Sequence, residues 1–384
     1  MISFGKAIAT QQADLLHWKT PNPACHTVTM NNSAPQPSIA DLKALIRTEA
    51  RRVTSYDVAM AAGVSQSAVS RCFQPNASVS KATYARVMEA ARDLDYTPNA
   101  AARSLNTRRS NLVAVVLSTQ VSMHYPEVLS ELSRQFGQRG MRVLLFSLAR
   151  ESDIDHTLAD IWQHQVDGVV VGAHLSLAQM AEFERRHVPF VLFNRQQEQG
   201  AAHAVACDQH EAARDMVTRL ASAGHRRFAM IDGPADSVVA CERRRGVSAR
   251  LAEIGLAPPL VVTGSFDYAS GGRGLREIVA CLGRLPDAVI CANDVMAIGC
   301  LDTARHDMRL SVPDQLSITG FDGIPQSGWM SYNLTTLRLP MHAMTLAVAD
   351  LLSGLIRNGP HTPARQLFSA TVVDGATARL GPAS

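Results

Sequence analysis

From Asn111 onward, short aliphatic and β-branched runs alternate with amphipathic stretches of helix length. The runs are LVAVVL (112–117), RVLLFSL (142–148), GVVVGA (168–173), FVLFN (190–194), RFAMIDG (227–233), LVVTGSF (260–266), AVICAN (288–293) and LSITGFD (316–322). Between them, Asp208 to Gly224 sets Ala212, Met216, Val217 and Leu220 on one face of a 3.6-residue period. Nearly continuous apolar strands separated by helices are the mark of parallel sheets covered on both faces, because a parallel pair needs a crossover helix. The pattern predicts an α/β core. These runs, with more beyond them, are too many for one compact sheet, so two similar lobes are expected.

The front of the chain reads differently. Residues 1–37 show no sustained period, and Asn31 to Ser38 is polar and proline-bearing, so an unpacked extension is expected there. Met30 offers an alternative translation start, which N-terminal sequencing of the native protein would decide. Ser38 to Arg52 carries Ile39, Leu42, Leu45 and Ile46 at helical spacing and predicts a short helix. Thr54 or Ser55 can cap the next helix, with Asp57 in its first turn, where a carboxylate suits the helix dipole. Gly63 supplies a left-handed turn, Val64 packs the corner, and Ser65 caps a second helix from Gln66 to Phe73 whose Val69 faces inward. A third helix from Ser80 turns Tyr84, Val87, Ala91 and Leu94 to a common core. Gln66, Ser67, Ser70 and Arg71 remain on the outer face of the second helix. The alternative is an ordinary three-helix bundle with those residues merely solvated.

Composition limits the chemistry. The 384 residues are 46% hydrophobic and 18% charged, which excludes a disordered, collagen-like or coiled-coil chain. No apolar run approaches the roughly 20 residues needed to span a bilayer, and Lys6, Gln11, Gln12 and Asp14 interrupt any secretory core, so a cytoplasmic location is expected. The 37 basic against 34 acidic residues give a net charge of +3, too mild to indicate nucleic acid by itself. Its distribution says more, since Arg71, Lys81, Arg86, Arg92, Arg103, Arg108 and Arg109 outnumber Glu89, Asp93 and Asp95 along the helical front. The 7 cysteines include no CxxC pair, and His203 and His210 lack a third ligand, so neither a metal nor a cofactor is expected. No strand leads into GxGxxG or GxxxxGK[ST], and no GxSxG elbow occurs. Cys207 beside Asp208 and near His210 is the nearest thing to a nucleophile, and sequence proximity alone does not make a triad. A catalytic function is not expected.

On VTSYDVAMAAGVSQSAVSRCF, VSKATYARVMEAARDLDYTPNAAARSL, VLFNR, ASAGHRRFAMIDGP, ANDVMAIG, VPDQLSITGFDGIP and LTTLRLP, the chain resembles the LacI family of bacterial transcription regulators from about Val53 to its C-terminus. The first 50 residues depart from that pattern. The resemblance implies an N-terminal all-α helix-turn-helix domain plus a two-lobed, periplasmic-binding-protein-like core. The expected division is an extension over 1–52, the helix-turn-helix over 53–98, a hinge helix and linker over 99–110, and the effector-binding and dimerisation core over 111–384. An export receptor would share the lobes but has no use for residues 53–110.

By position in the family, Ser55, Tyr56, Gln66, Ser67, Ser70 and Arg71 are implied to meet operator DNA. Gln suits adenine and Arg suits guanine in the major groove. Asn99, Ala102, Arg103 and Leu105 are implied in a hinge helix entering the minor groove, with Leu105 as the wedge. His124, Tyr125, Asn194, Arg195, Arg243, Phe266, Asn293 and Asp322 are implied to contact a sugar or sugar-acid effector. They sit at the carboxyl ends of strands, where open parallel sheets bind ligands. Asn194 stands where sugar pockets commonly have Asp. Two arginines against one aspartate give the expectation a lean toward an acid. The lobe crossings are expected near 205–208, 322–324 and 338–340, with a returning strand for the first lobe near 334–338. The implied partners are double-stranded operator DNA, the effector and a second copy in a homodimer, with no membrane.

Overall fold

The computed structural model describes residues 38–74, 78–98, 109–118, 125–148, 150–195, 202–359 and 362–382. The chain divides between Asn99 and Ala100 into two compact units.

The first unit is helical. Helix α1 (Ile39–Thr48) opens on a capping box in which Ser38 and Asp41 satisfy each other's backbone amides. Its Leu42 and Ile46 are buried in the unit's core, so residues 39–48 belong to the folded unit and not to an unpacked arm. Helix α2 (Ser55–Ala62) has a second capping box, between Thr54 and Asp57, and ends at Gly63 with φ +61°. Ser65 caps α3 (Gln66–Cys72) and Ser80 caps α4 (Lys81–Asp93). Val58, Val69, Val87 and Leu94 form the centre of the core. Tyr84, expected inside, is 48% exposed, and Ala90 is buried on α4 instead. The helix rotates this way because Val87, Ala90, Ala91 and Leu94 make a continuous i, i+3, i+4, i+7 stripe.

The second unit has two parallel sheets. Its first lobe has six strands in the order β11-β5-β4-β3-β1-β2. These are β1 (Leu112–Ser118), β2 (Arg142–Leu148), β3 (Gly168–Gly172), β4 (Phe190–Phe193), β5 (Ala204–Cys207) and β11 (Arg365–Phe368). Helices α5 (Tyr125–Gln138), α6 (Ile154–Ile161) and α7 (Leu177–Arg185) connect the first four. The second lobe's sheet runs β7-β6-β8-β9, from β6 (Phe228–Asp232), β7 (Leu260–Thr263), β8 (Ala288–Cys291) and β9 (Ser317–Thr319). Helices α8 (Gln209–Ser222), α9 (Val238–Glu253), α10 (Tyr268–Leu282) and α11 (Asp294–Asp302) belong to this lobe. Gly271 and Gly299 let α10 and α11 touch, since a Cβ at Gly271 would stand 2.0 Å from the Met296 carbonyl oxygen.

The lobe crossings differ from expectation in two places. Strand β10 (Thr336–Arg338) pairs antiparallel with β12 (Thr371–Val373) and bridges to the second lobe at Thr319 and Asp322, so it does not return to the first lobe. The returning strand is β11, parallel to β5. It reads RQLF, is largely exposed at the sheet edge, and so gives little hydrophobic signal. Residues 322–324 therefore remain in the second lobe. The chain crosses after Cys207, after Arg338 into α12 (Met341–Asn358), and between Phe368 and Thr371. Helix α12 lies on the first lobe's sheet, where a Cβ at Gly168 would meet Leu352 Cδ1 at 2.9 Å.

Candidate functional site

Two sites emerge, one in each unit. In the helical unit, α2 and α3 are tied at their amino ends, where Gln66 Nε2 donates to Ser55 Oγ at 3.1 Å. That leaves Gln66 half-buried, while Tyr56, Ser67 and Arg71 are exposed and Ser70 is half-buried. Arg71 donates from Nε to the Ser67 carbonyl one turn back, which lays its stem along α3 and leaves the guanidinium fork at the surface. Ser55 and Gln66 thus meet where α2 and α3 begin, and Ser67 and Arg71 lie one turn apart on the exposed side of α3. Asn99, Ala102, Arg103 and Leu105 lie outside the described residues.

In the two-lobed unit, polar groups converge at the carboxyl ends of the strands. Arg243, on α9, is the hub. It is buried, its Nε donates to Gln209 Oε1 at 2.9 Å, and its Nη2 donates to Asp322 at 2.7 Å. Its Nη1 donates to the Ala292 carbonyl, and its guanidinium lies 3.7 Å from the centroid of the Phe321 ring. Gln209 Nε2 donates onward to Asn194 Oδ1 at 2.9 Å, from the second lobe to the first. Arg195 donates from Nη1 to the Asn194 carbonyl at 3.0 Å.

Three site residues have positive φ, namely Asn194 at +52°, Phe266 at +58° and Asp322 at +111°. Asn tolerates that region, whereas an aromatic there is an outlier held by its surroundings. Phe266 is held by contact, since a Cβ on Gly233 would fall 2.3 Å from its Cζ. Asp322 is held by the Leu337 carbonyl, which accepts from its amide at 2.8 Å.

Asn293 has both ends of its amide engaged. Oδ1 accepts from Met296 N at 2.9 Å as the α11 cap, and Nδ2 donates to the Phe266 carbonyl at 3.1 Å. In this conformation it fixes the Phe266 turn, so its position shapes the cleft wall. His124 lies outside the described residues, and Tyr125 opens α5. Sequence reasoning missed Gln209, Phe321 and Asp294. Asp294 is fully buried, with Thr336 Oγ1 donating to Oδ1 and Ile324 N donating to Oδ2 at 2.8 Å. Burial first, then the charge of Asp322, pushes its carboxyl up to about 8. Only the Asp208 cap immediately ahead of Gln209 was a local signal for that residue. Its two partners, Arg243 on α9 and Asn194 at the end of β4, are remote in sequence.

The charges in the cleft are largely matched. Arg243 is paired with Asp322, and Arg244 donates to the buried Asp232 at 3.0 Å. Glu242 adds a carboxyl raised mainly by burial and drawn back by Arg195, Arg243 and Arg245. No group of residues suited to a metal ion occurs among the described residues, and no described helix is long and apolar enough to cross a membrane.

A helix-turn-helix unit followed in one chain by a two-lobed cleft defines a class, the ligand-responsive DNA-binding regulators. Residues 54–99 match the family described as bacterial regulatory proteins, lacI family, and residues 217–378 match the periplasmic binding protein-like domain. The HTH-type transcriptional repressor CytR of Escherichia coli (strain K12) is 30% identical over 293 residues, 75% of this chain and 85% of CytR. The transcriptional regulator CelR, in complex with cellobiose, is 27% identical over 85% of this chain and 100% of CelR, with a TM-score of 0.64. The lac repressor dimer bound to operator and the anti-inducer ONPF shares the fold at a TM-score of 0.77 and 24% identity, over 85% of this chain and 99% of that one. The chain belongs to the LacI family of bacterial regulatory proteins.

Proposed function

We propose that the protein is a homodimeric repressor whose affinity for operator DNA is set by a small neutral polyhydroxylated effector. The observation that carries this reading is the buried polar network of Arg243, Asp322, Gln209 and Asn194, which spans the two lobes where parallel sheets bind ligands. CelR binds cellobiose in a chain of the same family, which supports a sugar. The lean toward an acid weakens here, because Asp322 neutralises Arg243 and the Glu242 carboxyl lies close enough to Arg195 to interact with its charge. A carboxylate ligand would have to displace that pairing or leave one buried charge without its partner.

Arg71 and Gln66 read base edges in the major groove, Ser55 and Tyr56 sit beside the phosphates, and Ser67 and Ser70 complete that face. The hinge residues Asn99, Ala102, Arg103 and Leu105 enter through the family resemblance. Two copies are needed to read successive groove faces of a pseudo-palindrome. The second lobe supports dimerisation with an apolar surface at Trp329 and Met330, 57% and 99% exposed, next to Tyr332 stacked on Trp329. Effector binding closes the lobes and shifts the hinge pair, so operator and effector alter each other's affinity by the same factor. Fluorescence anisotropy on a labelled operator selected from random DNA, titrated with D-ribose, D-glucose and cellobiose against matched sugar acids, tests it. A shift of the operator isotherm by the acids alone refutes the neutral effector, and an asymmetric monomer footprint refutes the dimer.

A further inference from the structure

One member of the cleft network cannot reverse its role. A guanidinium carries N–H donors and no acceptor, so Arg243 Nε must donate, and the group it meets 2.9 Å away on Gln209 must be the carbonyl Oε1. The other end of the same amide, Nε2, then faces the first lobe and donates to Asn194 Oδ1 at 2.9 Å. Gln209 is 1% exposed at the start of α8, so its amide is held on both sides without solvent competition. The orientation set by Arg243 therefore passes through Gln209 to Asn194. The Asn194 carbonyl end is engaged, and its Nδ2 end is left for a ligand.

We propose that Gln209 is a specificity-determining positioning residue of the effector cleft: through it Arg243 sets Asn194 as a hydrogen-bond donor toward the effector. This rests on the cleft being the effector site. An aspartate at 194 would accept the same bond from Gln209 and turn a second acceptor to the ligand, selecting a hydroxyl that donates. Asn194 selects a ligand oxygen that accepts, such as a ring or glycosidic oxygen, a carbonyl, or a hydroxyl whose proton points elsewhere. Gln209 itself need not touch the effector. Because it joins a residue just past the Cys207 crossing to the end of β4, it also holds this polarity across the gap between the lobes.

The test has two arms, both on the full chain. In the ligand-free arm, urea unfolding is measured for the wild type, Asn194→Asp, Gln209→Glu and the double variant at neutral pH. Asn194→Asp keeps the bond from Gln209. Gln209→Glu still accepts from Arg243, and Asn194 rotates to donate to it. Each single variant leaves its new carboxylate facing a donor and should lose less than the double variant. The double variant sets two carboxylates face to face and should lose far more than the sum. A large loss in Asn194→Asp alone would overturn the proposed polarity, and additive losses would overturn the contact on which it rests.

In the ligand arm, calorimetry with D-ribose, D-glucose and cellobiose finds the tightest binder, which is compared with its monodeoxy and monodeoxyfluoro analogues. Fluorine accepts weakly and donates nothing. At one position the fluoro analogue should bind about threefold or more tighter than the deoxy analogue, and that preference should vanish in Gln209→Glu. Equal losses for both analogues at every position, or a preference unchanged in the variant, would overturn the proposal. No binding of any of these sugars by the wild type would instead overturn the effector reading, and the unfolding cycle would then decide the amide polarity by itself.

Discussion

Arg51 grips Asp57 with both ends of its guanidinium, Nη1 to Oδ2 at 2.7 Å and Nη2 to Oδ1 at 2.8 Å. The same carboxylate closes the Thr54 capping box, and the bonds from Arg51 are the main reason its pKa falls to about 2. Helix α1 is thereby fastened to the start of α2, and its Leu42 packs in the same core as Val58 of α2. Leu42→Ala should lower the stability of the helical unit by about 2–5 kcal/mol, the usual cost of emptying a buried leucine site. The Asp57 contribution is present above its unfolded pKa of about 3.9 and is lost as pH falls toward 2. Calorimetric unfolding of the variant checks the first value, and the acid limb of wild type against Asp57→Asn checks the second.

Asp294 should make the two-lobed unit less stable as pH rises. Its folded pKa of about 8 lies far above the ordinary aspartate value, so the folded state holds a proton that the unfolded chain has released. That contribution is complete below about pH 4 and is lost as pH climbs through about 8, with a slope of at most about 1.4 kcal/mol per pH unit. Asn keeps the shape and the acceptor while removing the titration. Urea midpoints of Asp294→Asn against wild type from pH 5 to 9 should therefore diverge, the wild type falling more steeply.

Removing one partner of the Arg243–Asp322 pair should cost much more than removing both. Arg243→Met leaves a buried carboxylate without its cation, a loss on the order of 3–5 kcal/mol. Arg243→Met combined with Asp322→Asn should recover part of that loss, because no uncompensated charge remains. A double-mutant cycle by denaturant unfolding measures the coupling, and additivity would mean that the pair is solvated in solution.

Gly233→Ala should impair the effector response and spare operator binding. The added methyl would overlap the Phe266 ring and the Ala240 side chain, and Phe266 already sits at an unusual φ of +58°. The predicted outcome is effector affinity at least about tenfold weaker, roughly 1.4 kcal/mol, with an unchanged operator isotherm in the absence of effector. Loss of operator affinity as well would place the damage in folding.

Arg71→Ala should relax specificity at one symmetric pair of bases at a cost of about 1–3 kcal/mol. Arg71 is exposed on α3 with its stem fixed through Ser67. Binding to single-base operator variants reads the effect. Equal weakening on every sequence, with a smaller salt slope, would assign Arg71 to a phosphate.

Most elements, and the family, are legible in local residue patterns. Hydrophobic period, Gly63 and the caps at Thr54, Ser65 and Ser80 act within a few residues, so the helices of the first unit and the strands from Leu112 to Thr319 are legible in order, except β5 (Ala204–Cys207), whose four residues are too short a run to stand out and read only as a crossing. The polar residues at strand ends are legible for the same reason. How they are used depends on contacts between segments far apart in the chain. Arg243 and Asp322 could be named as site residues, but not as each other's partner, since 79 residues separate them and the bond forms only when folding brings α9 to the turn that follows β9. Gln209 gave almost no signal, because an amide takes its role from what surrounds it. The returning strand Arg365–Phe368 was missed because an exposed edge strand need not be apolar, whereas pairing in a sheet is a backbone property that any of these side chains permits.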